Sequence, residues 1–110
     1  MWLFLSTGFL SVVQDSTNKN NLVVRARRKG DIEKVFPGAE VVTLRARDYQ
    51  FRAFIPREQV AEVVAKYVMD LGYTNFKSSI NRRTDGDFER ACHEVWDVMA
   101  ELQPKMPYGM

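Results

Sequence analysis

Apolar and polar positions alternate with a period of two over most of the first half of the chain. Over most of the second half they recur at helical spacing. Residues 2–5 and 9–14 are rich in aromatic and β-branched side chains, and Ser6, Thr7 and Gly8 punctuate them, which predicts two short strands. The polar run 15–21 carries turn chemistry. A strand over 22–28 would send Val23, Arg25 and Arg27 to one face and Leu22, Val24 and Ala26 to the other. Asp31 is placed to cap a short helix through Ile32, Val35 and Phe36, which Pro37 and Gly38 stop. A strand over 41–47 would turn Val42, Leu44 and Ala46 inward. Asp48 would then turn the chain into a partner strand over 49–55, with Tyr49, Phe51, Ala53 and Ile55 inward.

Pro56 suits the first turn of a long helix. Val60, Val63, Val64, Tyr67, Val68 and Leu71 form its apolar stripe, and Gly72 is its expected stop. One or two helical turns are expected around Phe76 and Ile80. After the capping loop at 84–87, a last helix over 88–102 would bury Phe88, Ala91, Cys92, Val95, Val98, Met99 and Leu102. The order β-β-β-α-β-β-α-α predicts an α+β fold. It would have an antiparallel sheet of four or five strands with helices on one face, loosely ferredoxin-like. The expected organisation is one domain over 1–103, with a frayed tail over 104–110 marked by Pro104, Pro107 and Gly109.

Length and composition agree with that reading. A chain of 110 residues fits one domain, and 45% apolar with 27% charged residues is globular composition. A formal net charge of +2 excludes a polyanionic mimic of nucleic acid and leaves the distribution of charge as the informative quantity. The single cysteine, Cys92, excludes an internal disulfide and a thiolate-rich zinc site, as expected of a protein in a reducing cytoplasm. The apolar start, 1–13, lacks a basic flank and is shorter than the roughly 20 residues that span a bilayer. It reads as part of the fold, with no membrane association.

The sheet offers the most specific chemistry. With the apolar sets against helices, the opposite face would carry Arg25, Arg27, Arg45, Arg47 and Arg52, interleaved with Thr43, Gln50 and Phe54. Either Trp2 and Phe4 or Leu3 and Leu5 would join them. Guanidinium groups pair with phosphates and carboxylates and stack on planar groups. A basic sheet with aromatics is one way to hold single strands of nucleic acid. Alternation alone would make these arginines a solvated face, but lysine or glutamate would solvate a sheet equally well.

The other candidates lie towards the C-terminus. Tyr73, Asn75 and Lys77 sit in a linker with recognition chemistry, where Tyr73 and Phe76 would pin a crossing and Asn75 or Thr74 would cap the next turn. Trp96 flanks the apolar stripe of the last helix and would make either a half-exposed anchor or a ring packed under the N-terminal hairpin. His93 is the only histidine. Glu89 and Asp97 lie four residues either side of it, a pattern that ordinary helix-surface pairs explain better than a metal or a general base. Cys92 falls in the apolar stripe as a small hydrophobe, and capping accounts for Asp85-Gly86-Asp87 better than a calcium loop does. Phosphate loops, nucleophile elbows and paired-carboxylate signatures do not occur, so no catalytic residue, metal site or cofactor is assigned.

The blocks Met1-Trp2-Leu3-Phe4, Gly8 to Gln14, Val23 to Arg27, Asp48 to Glu58, Tyr73 to Lys77 and Val95-Trp96 together resemble a broad family of small uncharacterised bacterial proteins. Its members occur on chromosomes, plasmids and phages. The resemblance covers nearly the whole chain and implies a stand-alone protein, a mobile-element origin being one form, with no activity or catalytic residue attached. By analogy with small mobile-element proteins, it also implies a protein that docks on and blocks a host complex, as anti-CRISPR proteins do. The sequence reading is therefore a non-enzymatic binding module for a protein or nucleoprotein partner. Direct binding of single-stranded RNA or DNA is the first alternative. An enzyme acting on a phosphorylated substrate through His93 is the second. A homodimer closed by exposed aromatics is compatible with each.

Overall fold

The computed structural model describes residues 1–105. It is α+β, with five strands forming one antiparallel sheet in the order β1-β2-β3-β5-β4. The strands are β1 (Trp2–Leu5), β2 (Gly8–Gln14), β3 (Asn21–Ala26), β4 (Val42–Thr43) and β5 (Phe51–Pro56). Helix α1 (Asp31–Val35) joins β3 to β4, and α2 (Arg57–Met69) follows β5. Contacts divide the chain into two compact units, Met1–Gly72 and Tyr73–Met110. The second holds a short 3-10 turn, Lys77–Ser79, and α3 (Gly86–Ala100). Residues 106–110, most of the expected tail, lie outside the described residues, and Pro104 and Lys105 carry no regular element.

In the first unit β1, β2 and β3 form a meander. The β2–β3 connection is built from side chains that imitate backbone turns. Asp15 accepts from the N–H and hydroxyl of Thr17, both at 2.9 Å, and Asn18 accepts from the Asn20 N–H. The β3-α1-β4 connection places two parallel strands in one sheet with the antiparallel β5 between them. That split β-α-β arrangement is where the ferredoxin-like expectation holds.

Leu10, Val12, Val24, Ala26, Ala53 and Ile55 form one face of the sheet. Ile32, Val35 and Phe36 from the α1 segment and Val60 from α2 close the core over it. Leu3, Leu5, Val41, Phe51, Val63 and Val64 ring that cluster. Beneath it Asp31 is 4% exposed and neutralised by Arg28 and Lys34, each at 3.1 Å. It does not cap α1 as expected. Gly30, in the left-handed region at φ 95°, precedes the helix instead, and Asp31 is its first residue.

Three expectations are corrected. The fourth strand is two residues long rather than the predicted 41–47, because the Arg47 N–H bonds the Leu44 carbonyl at 3.0 Å and closes a turn early. Val42, Leu44 and Ala46 are therefore not core; all three are exposed, and Val41 packs on the core instead. On α2 only Val60, Val63 and Val64 of the apolar stripe reach the core, while Tyr67 and Val68 are exposed, as is Leu71, which lies beyond the end of the helix. On α3 Phe88 and Cys92 are buried, but Ala91, Val95, Val98 and Met99 are exposed, as is Leu102, which lies in the turn beyond the helix. Within its own unit, a three-residue 3-10 turn is too small to cover a fifteen-residue helix.

Candidate functional site

The strand registers lay out the second face of the sheet in rows. Trp2 pairs with Ser11, Ser11 with Arg25, Arg25 with Arg52, and Arg52 with Val42, so one row crosses all five strands. On one side of it Phe4 lies opposite Phe9; on the other, Val13, Val23 and Phe54 form a third row. Trp2 and Phe4, rather than Leu3 and Leu5, therefore join this face. Their rings and that of Phe9 pack edge-on or tilted, with centroids 4.7–6.4 Å apart. Trp2 is 64% exposed and Phe54 54%.

Tyr49 organises the arginines. Expected on the core face, it instead precedes β5 and lays its ring against the second face, 6.4 Å from Phe9, where it is only 5% exposed. The guanidinium carbons of Arg25 and Arg27 lie 4.4 and 4.2 Å from the Tyr49 ring centre, in cation–π geometry. Arg52 Nε donates to the Tyr49 carbonyl at 3.2 Å. Arg25 Nη2 also donates to the Ser11 hydroxyl at 2.7 Å, and its Nε is buried with no acceptor among the described residues. Arg27 Nη1 donates to the Asp48 carboxylate at 3.1 Å, and that bond holds its pKa above the ordinary arginine value.

The structure thus brings Arg25, Arg27, Arg52 and Phe54 together on one face. Arg45 and Arg47 are not on it. They sit in the β4–β5 turn, exposed and without an ion pair among the described residues. Thr43 belongs to the core side, opposite Phe51, rather than beside the arginines. Phe9, Ser11, Val42, Asp48 and Tyr49 complete the face and were not picked out from the sequence. For Phe9 and Ser11 the signal was present: pairing β2 with β3 through the 15–20 loop puts Ser11 opposite Arg25.

In the second unit, Lys77 and Trp96 do meet. Lys77 Nζ lies 4.1 Å from the Trp96 ring centre and 3.3 Å from His93 Nδ1. His93 stacks on Trp96 at 6.1 Å and approaches Asp97 at 3.6 Å. Asn75 Oδ1 accepts from the Ser78 N–H at 3.1 Å, and Tyr73 packs on Phe76 at 5.8 Å, so these two linker residues serve local structure. Among the described residues no group of three His, Cys, Asp or Glu side chains could hold a metal ion, and no helix is long and apolar enough to cross a membrane. Compared with family models, curated proteins and solved structures, the chain matches none.

Proposed function

We propose that this protein is a binding module that docks the second face of its sheet on a protein or nucleoprotein partner. The observation that supports this most directly is the row Trp2–Ser11–Arg25–Arg52–Val42, with Arg25, Arg27 and Arg52 gathered around Tyr49 between two exposed aromatics. Tryptophan and arginine are the residues that most often dominate interfaces. Guanidinium groups already held by a ring, a hydroxyl and a carbonyl lose little freedom on docking, which lowers the entropic cost of association. The groups on this face recognise planar and anionic surfaces.

A second reading, direct binding of single-stranded nucleic acid, is favoured by Arg45 and Arg47, whose side chains are exposed and free to meet phosphates. One experiment separates the two. The tagged protein is used for capture from cell lysate with and without nuclease, and affinity for the captured species is compared among wild type, Arg52→Glu/Phe54→Glu and Arg45→Ala/Arg47→Ala. The docking reading expects a nuclease-resistant partner whose affinity falls about tenfold or more in the Arg52→Glu/Phe54→Glu variant. Unchanged affinity in that variant, with its fold intact, overturns it. Capture that vanishes with nuclease, weakens in the turn variant and falls with salt at a slope near −0.7 per neutralised phosphate would establish the second reading.

A further inference from the structure

The sheet ends on one side at an edge that lacks the usual guards. Native proteins blunt an edge strand with charge, proline, a bulge or extreme shortness. The β4 edge has two residues and runs into Arg45 and Arg47. The β1 edge, Trp-Leu-Phe-Leu, has no charge and no proline, and its pairing with β2 is unbroken from Trp2 to Leu5.

The hydrogen bonds around Met1 fix which backbone groups face outward. The Met1 nitrogen donates to the Val12 carbonyl and the Val12 N–H to the Met1 carbonyl, both at 2.8 Å. Hydrogen-bonded and non-hydrogen-bonded pairs alternate along an antiparallel ladder. Leu3 and Leu5 therefore turn their N–H and C=O groups towards β2, and Trp2 and Phe4 turn theirs away from the sheet.

We infer that this protein self-associates through β1, two copies pairing antiparallel about a two-fold axis at Leu3 to give a continuous ten-stranded sheet. In that register Trp2 lies opposite the second copy's Phe4, and Leu3 opposite Leu3. It is the register in which every outward N–H and C=O of Trp2 and Phe4 finds a partner, with four hydrogen bonds across the seam. It is also face-preserving: Trp2 and Phe4 share one face, so the two aromatic clusters become neighbours and the leucines meet on the core side. No charge on β1 opposes the approach of an identical strand. The contact is isologous and closes at two copies. Four residues a side bury far less than the roughly 1,000 Å² of a stable interface, so the dimer forms at protein concentrations on the order of 0.1–1 mM. This inference is independent of the proposed docking function.

The test is amide hydrogen exchange on the full chain across that concentration range, beside sedimentation equilibrium. A dimer should appear, and exchange at Phe4 should slow about tenfold with concentration while Leu3 and Leu5 stay protected throughout. Trp2→Pro removes an outward donor while leaving the β1–β2 hydrogen bonds in place, and compared with Trp2→Ala, which loses the same indole packing on Phe9 but keeps the donor, it should raise the dimer dissociation constant about tenfold or more. A chain that stays monomeric at the highest concentration overturns the inference. So does a dimer in which the Phe4 amide still exchanges as in the monomer, whatever Trp2→Pro does to the fold.

Discussion

At Gly8 a missing side chain makes room for a buried charge. A Cβ there would lie 2.8 Å from the Asp31 carboxyl carbon, and Arg28 and Lys34 hold that carboxylate in place. Gly8→Ala should therefore cost about 1–3 kcal/mol in urea unfolding, as overpacking does. Asp15 illustrates a different residue-scale effect. Hydrogen bonds from Thr17, the backbone N–H first, hold its carboxyl below the ordinary aspartate value. A carboxyl depressed in the folded state adds stability above the unfolded pKa, about 3.9, and loses it as pH falls through the lower folded value. Asp15→Asn should thus flatten the stability-against-pH curve below about pH 4 and leave its shape near neutrality unchanged. The alternation over 22–28 made Arg25, within β3, and Arg27, just beyond it, legible from the sequence. Tyr49 was misplaced because alternation was extended through a residue that lies outside the strand.

Among the elements, legibility followed the source of the signal. β1, β2, β3, β5, α2 and α3 were all visible in periodicity and turn chemistry. β4 was visible too but read as too long, because the bond between the Arg47 N–H and the Leu44 carbonyl ends a run that still reads as alternating. Helix amphipathicity was seen but misjudged: an apolar stripe says where a core could form, and only the neighbouring elements decide how far it is covered. Leu10→Ala, inside the core cluster, should cost about 2–5 kcal/mol, whereas Val98→Lys on the exposed end of α3 or Leu102→Lys just beyond it should stay within about 0.5 kcal/mol in the same denaturation assay. At the other end of that helix, Asp85 accepts from the Phe88 N–H at 3.3 Å. Asp85→Ala should cost about 1 kcal/mol.

On the scale of the whole molecule, the two tryptophans report on separate units, since Trp2 stands on the sheet and Trp96 on α3. Both are more than half exposed. If the sheet face docks a partner, Trp2 in a Trp96→Phe variant should become shielded from acrylamide on binding, while Trp96 in a Trp2→Phe variant should stay quenchable. The reverse pattern would move the interface to the second unit. That such a face exists was legible from strand alternation. Its composition was legible only in part: the short β2–β3 loop carries the register that brings in Phe9 and Ser11, whereas Val42 comes in through a pairing that no single strand's pattern contains.

The position of β5 between β3 and β4 also orders events in time. The meander of β1, β2 and β3 closes through neighbours in the chain, but the β4–β5 hairpin joins the sheet only when β5 docks beside the distant β3. Loop closure of that length is the slow kind of step, so β4 and β5 should acquire protection after the β1–β3 meander during refolding. During synthesis, a nascent chain that has emerged only through α1 would present the β3 edge bare, with the backbone groups of Leu22, Val24 and Ala26 at the rim, until the ribosome releases the segment that covers it.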